Sequence, residues 1–208
     1  MRKSIREFMK IFAKILPSQE PIYEFGSFLV KGQEEVADLR PLFPNKKYVG
    51  TDMREGNGVD AILDLHNINL SSNSVGTVLC LDTLEHVEYP RKAMKEIYRI
   101  LKPNGIVVIS SAMKFPIHNF PEDYWRFTPE AFRSLLKEFN SSYIKYLGED
   151  KFPNTVIGIG FKGEIELNKL DLFKTYTDEW KIHHDAMVED PIREKVKRFI
   201  LSVVRIIR

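Results

Sequence analysis

The stretch VGTVLCLDTLEHVEYPRKAMKEIYRILKPNGIVVISS, residues 75–111, decides the fold of this chain. Residues 75–81 form an apolar run typical of a buried strand, and the β-branched run at 106–111 predicts a second strand. Apolar residues recur at helical spacing over 88–101, and a Lys-Pro-Asn-Gly turn at 102–105 separates that helix from the second strand. A strand, a helix and a strand in this order predict a βαβ unit with parallel strands.

The rest of the chain continues this alternation, which predicts an α/β fold with a mostly parallel central sheet flanked by helices. Thr128 and Pro129 are residue types preferred at the N-cap and the first position of a helix. Ligands of such sheets bind beyond the carboxyl ends of the strands, so the residues that follow each strand are the candidate site residues. The further predicted segments are strands at 22–25, 47–52 and 59–65 and helices at 33–40 and 128–139.

The composition is that of a globular protein. The chain has 208 residues, enough for one domain of ordinary size with a hydrophobic core. Hydrophobic residues make up 43% and charged residues 29% of the chain, and no apolar run is long enough to predict a membrane-spanning helix. The single cysteine, Cys80, lies in an apolar run, which predicts a buried free thiol in a reducing compartment.

The net charge of +2 is unevenly distributed. Residues 1–16 carry +4 and residues 192–208 carry +5, so the body between them carries −7. An acidic body with two basic ends is not typical of a broad nucleic-acid binder, and we expect no nucleic-acid partner. Both ends have apolar residues at helical spacing. Three arrangements fit such basic amphipathic helices: packing on the domain, a homodimer contact, or peripheral contact with an anionic membrane.

The loop IYEFGSFLVKG, residues 22–32, is poor in glycine for a dinucleotide site, because Phe28 stands between Gly26 and Gly32. A pyrophosphate needs several bare backbone N–H groups at a helix N-terminus, whereas a phosphate-free adenosine cofactor tolerates a side chain there. Asp52 follows Gly26 by 26 residues, close to the spacing at which a carboxylate at a strand end meets a ribose. The two features together favour S-adenosylmethionine over a nicotinamide dinucleotide.

The run 75–111 resembles the class I S-adenosylmethionine-dependent methyltransferases, particularly the type 11 group that acts on small molecules. Residues 81–87 are similar to the family's L-x-x-L-E-H-V signature, and residues 99–105 to its R-x-L-K-P-x-G motif. The resemblance covers roughly residues 20–140, and the loop at Gly26 departs from the family's E/D-x-G-x-G-x-G pattern. It implies a Rossmann-like methyltransferase fold and S-adenosyl-L-methionine as the cofactor.

The resemblance also implies a division of the chain and a role for each strand end. An N-terminal amphipathic helix at 1–19 would precede the methyltransferase domain at 20–165, and a C-terminal extension at 166–208 would contain the second basic helix. The implied cofactor-binding residues are Glu24, Gly26 and Ser27 at the methionine end, Asp52 at the ribose, Met53, Asp64 and Leu65 at the adenine, and Leu81, Asp82 and His86 near the reacting methyl group.

Each of these residues also has a structural alternative. Asp52 could cap a turn, and Asp64 could belong to a solvated turn. Residues 82–85 fit a capping arrangement at a helix start, in which the acid binds back to the first residue. His86 could be a packing residue rather than a base. His183 and His184 are adjacent and would point apart, and no other ligand spacing predicts a metal site.

The segment 112–128 is dense in aromatic and ionisable residues, and two interpretations remain open for it. It could be a structural lid in which Trp125 and Phe127 seal the core, or a substrate lid over the methyl donor. For the second case we predict His118 as the catalytic base, since an imidazole titrates near neutral pH. Asp123 would orient His118 or act in its place, and the predicted substrate-binding residues are Tyr124, Trp125 and Arg126.

The expected function is methyl transfer from S-adenosylmethionine to a small molecule or saccharide, more readily onto oxygen than onto nitrogen or carbon. The sulfonium already activates the methyl group, so such an enzyme mainly aligns the acceptor and excludes water. The alternative is a catalytically inactive protein of the same fold that serves as a partner or a membrane-associated scaffold. We expect a cytoplasmic protein. The alternative location is peripheral contact with the inner face of the membrane.

Overall fold

A computed structural model describes residues 1–118 and 122–188. Its core is a seven-stranded sheet with strand order β3-β2-β1-β4-β5-β7-β6. Strands β1 to β5 pair in parallel, and β7 runs antiparallel to both β5 and β6. The predicted α/β fold with a mostly parallel sheet is therefore confirmed. The strands are β1 (Ile22–Phe25), β2 (Tyr48–Asp52), β3 (Ala61–Ile62), β4 (Val75–Leu81), β5 (Leu101–Ala112), β6 (Ser141–Glu149) and β7 (Phe152–Lys162).

Helices cover both faces of the sheet, because successive side chains of the central strands point to opposite faces. On β4, Val78 and Cys80 pack into one apolar core while Leu79 and Leu81 pack into the other. Helices α3 and α4 close the first core, and α1 and α5 close the second. The helices are α1 (Lys3–Ile15), α2 (Glu34–Ala37), α3 (Pro90–Ile100), α4 (Pro129–Leu135) and α5 (Leu167–Val188), with 3-10 turns at Arg40–Leu42 and Leu84–His86.

Helix α1 packs on the domain, as the first of the three arrangements predicted. Its apolar face is buried, and the Phe8 ring lies 5.5 Å from that of Phe173 and 5.2 Å from that of Trp180, both on α5. The face that a homodimer or a membrane would use is thus covered by the chain itself. The second basic helix was predicted from Val196, Phe199, Ile200, Val203 and Ile207, and it lies outside the described residues.

Several predicted boundaries shift for local reasons. The helix expected at 33–40 ends at Ala37, because the Asp38 carboxylate accepts a 3.0 Å hydrogen bond from the Arg40 N–H and turns the chain. Thr128 caps α4 as predicted, through a 3.1 Å bond from the Ala131 N–H. Strand β5 already begins at Leu101, so the Lys-Pro-Asn-Gly turn is a bulge within the strand rather than a separate loop.

Cys80 is a buried free thiol, as expected, and burial raises its pKa well above the ordinary value. Among the residues that the structure describes, no helix has the length and apolarity needed to cross a membrane.

Candidate active site

A cleft of about 500 Å³ opens at the carboxyl ends of β1, β2 and β4, within the size range of small-molecule sites. The cofactor-binding residues predicted from the sequence all line it, although they come from five separate segments of the chain. They are Glu24, Gly26, Ser27, Asp52, Met53, Asp64, Leu65, Leu81, Asp82 and His86.

The loop after β1 keeps the cleft open despite its few glycines. Gly26 has φ +83°, and a Cβ there would collide with the Thr83 side chain, so this position requires glycine. The Ser27 hydroxyl donates a 2.9 Å bond to the carbonyl of Gly58, which ties the loop to the turn after β2. The Phe28 ring lies 4.8 Å from the Arg54 guanidinium and lines the wall of the cleft. A side chain therefore replaces the second loop glycine without filling the space.

Glu24 is a buried carboxyl at the methionine end of the expected site. The Tyr48 hydroxyl donates a 2.7 Å hydrogen bond to its Oε2 atom. Burial raises the pKa of Glu24 to about 7, and the Tyr48 bond and the charge of Arg40 offset only part of that effect. A carboxyl with this pKa ionises readily when a cationic group binds beside it.

Asp52 and Asp64 both make the local turns that were considered as structural alternatives. Asp52 Oδ1 accepts hydrogen bonds from the Arg54 backbone N–H at 3.0 Å and from Arg54 Nε at 3.3 Å. Asp64 Oδ1 accepts from the His66 N–H at 2.8 Å and contacts His66 Nδ1 at 2.9 Å. Both carboxylates nevertheless lie on the cleft wall, so the turn contacts hold them in place for a ligand.

Asp82 lies at the tip of β4 in a left-handed backbone conformation, with φ +48°. The Arg2 guanidinium donates to its carboxylate at 2.7 Å and 3.3 Å, and the Ser110 hydroxyl donates to Oδ1 at 2.9 Å. Arg2 also donates to Thr155 on β7. Sequence reasoning missed Arg2, because nothing near the N-terminus indicates that the start of α1 lies beside the tip of β4.

Glu85 follows in the 3-10 turn after β4, and the predicted capping arrangement over 82–85 is not formed. The turn has no side-chain cap, and the Glu85 carboxyl is 1% exposed instead of reaching back to the first residue. Its Oε2 atom has no hydrogen-bond partner among the described residues. Burial, and then the charge of Asp82, raise the pKa of Glu85 to about 7.

Two histidines meet beside Glu85, a grouping that the sequence did not predict. The ring centroids of His86 and His118 are 4.8 Å apart, and each residue lines the cleft. His86 Nδ1 lies 2.5 Å from the carbonyl of Glu122, and burial lowers the pKa of His86 below its ordinary value. The ligand-type atoms of Glu85, His86 and His118 all lie within 4.8 Å of one another.

Asp123 supports His118 rather than facing the cleft. The Arg126 guanidinium donates hydrogen bonds of 2.5 Å and 2.7 Å to the Asp123 carboxylate. These bonds hold the pKa of Asp123 well below its ordinary value. The same carboxylate accepts the His118 N–H at 2.9 Å and lies 3.1 Å from His118 Nδ1. This geometry suits the predicted orienting role of Asp123, and the low pKa opposes its use as the proton acceptor.

Some side chains of the segment 112–128 pack into the core, and others line open space beside the cleft. Phe127 is buried in the core, and Trp125 Nε1 donates a 3.0 Å bond to the carbonyl of Val87. Tyr124 and Trp125 are still 45% and 43% exposed and line a shallow depression of about 670 Å³ beside the cleft. Phe115 lines both spaces. Arg126 also lines the depression, but its guanidinium is engaged with Asp123 and with backbone carbonyls of the lid.

Comparison with known proteins also indicates a methyltransferase domain. Residues 40–109 match the family model of the type 11 methyltransferase domain. A search of curated proteins found no match. Over these residues the chain is similar to the type 11 group of class I methyltransferases. The strand order and the cleft fit an enzyme whose cofactor is S-adenosyl-L-methionine.

Solved structures share the fold at low sequence identity. A protein from Thermotoga maritima, described as a possible histamine N-methyltransferase, is 19% identical with a TM-score of 0.53, over 76% of this chain and 89% of that one. A methyltransferase from Archaeoglobus fulgidus is 14% identical with a TM-score of 0.53, over 76% and 94%. The CurJ carbon methyltransferase is 18% identical with a TM-score of 0.56, over 78% and 54%. At these identities the likeness establishes the fold alone.

Proposed function

We propose that the enzyme methylates a hydroxyl oxygen of a small molecule or a saccharide. The observation that carries the proposal is the group of proton-accepting side chains at the methyl end of the cleft: Glu85, His86 and His118. An oxygen acceptor must lose its proton as it attacks the methyl group, whereas a neutral amine can lose its proton afterwards. A cluster of acceptors at this position therefore favours oxygen chemistry.

The cofactor would lie along the strand ends, with Asp52 holding the ribose hydroxyls and Asp64 facing the adenine amino group. Glu24 would face the methionine end, where its ionisation is favoured by the amino group of the cofactor. These assignments rest on the positions of the three carboxyls around one cleft. The sulfonium would then lie near Leu81 and Asp82, within reach of the lid.

The methyl transfer needs one proton acceptor, and it needs water to be excluded from the site. An imidazole such as His118 would take the proton of the acceptor O–H group as the oxygen attacks. The cofactor would supply the methyl group, and S-adenosylhomocysteine would remain when the S–CH₃ bond breaks. The 3.1 Å contact between Asp123 and His118 Nδ1 supports this role. Tyr124 and Trp125 line the depression beside the cleft and would bind the acceptor there.

The test is a product analysis with the full chain. The protein is incubated with S-adenosylmethionine and a panel of saccharides, phenols and amines, and the methylated products are identified by mass spectrometry. An O-methyl product on a hydroxyl acceptor supports the proposal. Methylation of amines alone would overturn it, as would the absence of calorimetric binding of S-adenosylmethionine to folded protein.

A further inference from the structure

We propose that Glu85, His86 and His118 form a binding site for one divalent transition-metal cation, Zn²⁺ or Mn²⁺, at the methyl end of the cleft. The site is made of one carboxylate and two imidazoles whose ligand atoms lie within 4.8 Å of one another. Bonds of about 2.0–2.2 Å place such atoms roughly 3–4.3 Å apart, so small side-chain rotations close the site around an ion. Imidazole with carboxylate suits these cations better than Ca²⁺, which prefers oxygen ligands alone.

One oxygen of the buried Glu85 side chain lacks a partner. Glu85 is 1% exposed and its Oε2 atom has no hydrogen-bond donor among the described residues. A buried polar atom without a partner costs on the order of 1–3 kcal/mol, and more when it is charged. Such atoms in native structures commonly indicate an ion or a ligand that occupies the space beside them.

The two imidazoles are oriented as in metal-binding histidines. His86 Nδ1 faces the carbonyl of Glu122 at 2.5 Å, and His118 Nδ1 faces Asp123 Oδ2 at 3.1 Å and the carbonyl of Pro116 at 3.2 Å. Carbonyl and carboxylate oxygens only accept, so each Nδ1 must carry the proton. Each Nε2 is then left with a lone pair. A metal-binding histidine is held in this way, with its other ring nitrogen donating to a carboxylate or a carbonyl.

The charges around the three side chains also favour a cation. The two arginines nearest the group are already paired, Arg2 with Asp82 and Arg126 with Asp123. The Glu85 carboxylate and two imidazole lone pairs therefore meet without a counter-charge among the residues described. A single acceptor hydroxyl supplies one proton and can satisfy only one of these atoms. One cation satisfies all three.

The site has a consequence for the substrate class, and this part rests on the proposed function. Three protein ligands leave coordination positions open to the cleft, as in catalytic rather than structural metal sites. A bound ion would take the acceptor oxygen and lower its pKa, so that the proton leaves to solvent and the methyl group meets an oxygen anion. His118 would then hold the ion instead of taking the proton. Acceptors with two neighbouring hydroxyls, such as a vicinal diol of a sugar or a catechol, fit this arrangement best.

The experiment is a titration of the full chain, freed of metal by a chelator, with ZnCl₂ and separately with MnCl₂ in a calorimeter. We expect one ion per chain, with affinity lowered at least tenfold by Glu85→Gln and by His118→Ala. His183→Ala is the matched control, since this exposed histidine of α5 lies away from the cleft. The metal affinity of this variant should equal that of the wild type. Circular dichroism checks that each variant is folded. Absence of binding to folded wild type, or equal affinity in all variants, would overturn the site.

A second readout separates this inference from the proposed function. Methyl transfer to a hydroxyl acceptor is measured with excess EDTA and after the ion is restored. Loss and recovery of turnover support the metal site. Undiminished O-methylation in EDTA overturns the role of the ion and leaves the proposed function intact. Ion binding by a protein that methylates only amines supports the site and overturns the proposed function.

Discussion

The Tyr48 hydroxyl donates a 2.7 Å hydrogen bond to Glu24 Oε2 across the neighbouring strands β2 and β1. This bond is the main local stabilisation of a buried carboxylate, yet the pKa of Glu24 is still raised from 4.5 to about 7 because burial outweighs it. The enzyme therefore holds a carboxyl in an environment that opposes its charge. Such an arrangement costs stability in the free protein and becomes favourable when a cationic ligand arrives.

Replacing Glu24 by glutamine is expected to stabilise the cofactor-free protein at pH 8. In the unfolded chain this carboxyl loses its proton near pH 4.5, and in the folded protein near pH 7. The folded state thus binds the extra proton between these values, and the stability contributed by this group falls as the pH rises through that window. The variant avoids a cost of about 3 kcal/mol at pH 8. Denaturant unfolding at pH 4.5 and pH 8 measures the difference.

The gain should be nearly absent at pH 4.5, where the folded Glu24 carboxyl is neutral and the unfolded one is only half ionised. Glu55→Gln on an exposed turn is the control. The same Glu24→Gln protein should bind S-adenosylmethionine more weakly at pH 8. A variant that differs equally from the wild type at both pH values would contradict the assignment of the raised pKa to Glu24.

Asp52→Ala is expected to weaken binding of S-adenosylmethionine by more than an order of magnitude, because it removes the carboxylate assigned to the ribose hydroxyls. Calorimetric titration with S-adenosylmethionine and with S-adenosylhomocysteine measures the loss. Glu55→Ala, three residues further along the same turn, should bind both ligands like the wild type. Unchanged affinity of the Asp52 variant would remove the ribose assignment.

His118→Ala is expected to lower turnover by roughly 10²–10⁴-fold with little change in cofactor affinity. The residue faces the methyl end of the cleft and is held by Asp123, away from the strand ends assigned to ribose and adenine. Steady-state kinetics and cofactor titration on the same preparation separate the two effects. Full activity would exclude His118 both as the base and as a ligand of a required ion.

Trp180→Ala is expected to destabilise the protein by about 3–5 kcal/mol, the usual cost of removing a buried tryptophan. Trp180 is 6% exposed, packs on Phe8, and donates a 3.1 Å bond from Nε1 to the carbonyl of Ser4. Denaturant unfolding measures the loss, with Tyr176→Ala on the same helix, 40% exposed, as a milder comparison. Equal losses in the two variants would mean that α5 contributes little to the core.

The strand ends were predictable because each follows a short apolar run that is recognisable by itself in the sequence. The β4 run at 75–81 was predicted to the residue, and Asp52 and Asp64 were found from their positions after apolar strands. The hairpin of β6 and β7 was not identified, although it completes the sheet next to β5. Its Ser, Lys, Gly and Asn residues interrupt the apolar pattern, since β6 is an edge strand with much of its surface half-buried.

The side-chain grouping at the methyl end was not predictable from one sequence. His86 and His118 are separated by 32 residues, and only the lid conformation brings their rings to 4.8 Å. The absence of a familiar ligand spacing led to the expectation of no metal site. Arg2 was missed for the same physical reason, because its contact with Asp82 depends on how α1 docks rather than on any local motif.

The docking of α1 also bears on how the chain is made. Ser4 and Trp180 are 176 residues apart, so the first helix is synthesised long before its partner on α5 exists. At about 5–20 residues per second the delay is roughly 10–35 s, during which the part of the apolar face of α1 that packs on α5 has no native cover. Arg2 cannot settle on Asp82 and Thr155 until β7 has also emerged. The contacts of Arg2 beside Asp82 are thus completed only after Thr155 has been synthesised, long after the carboxyl ends of β1, β2 and β4.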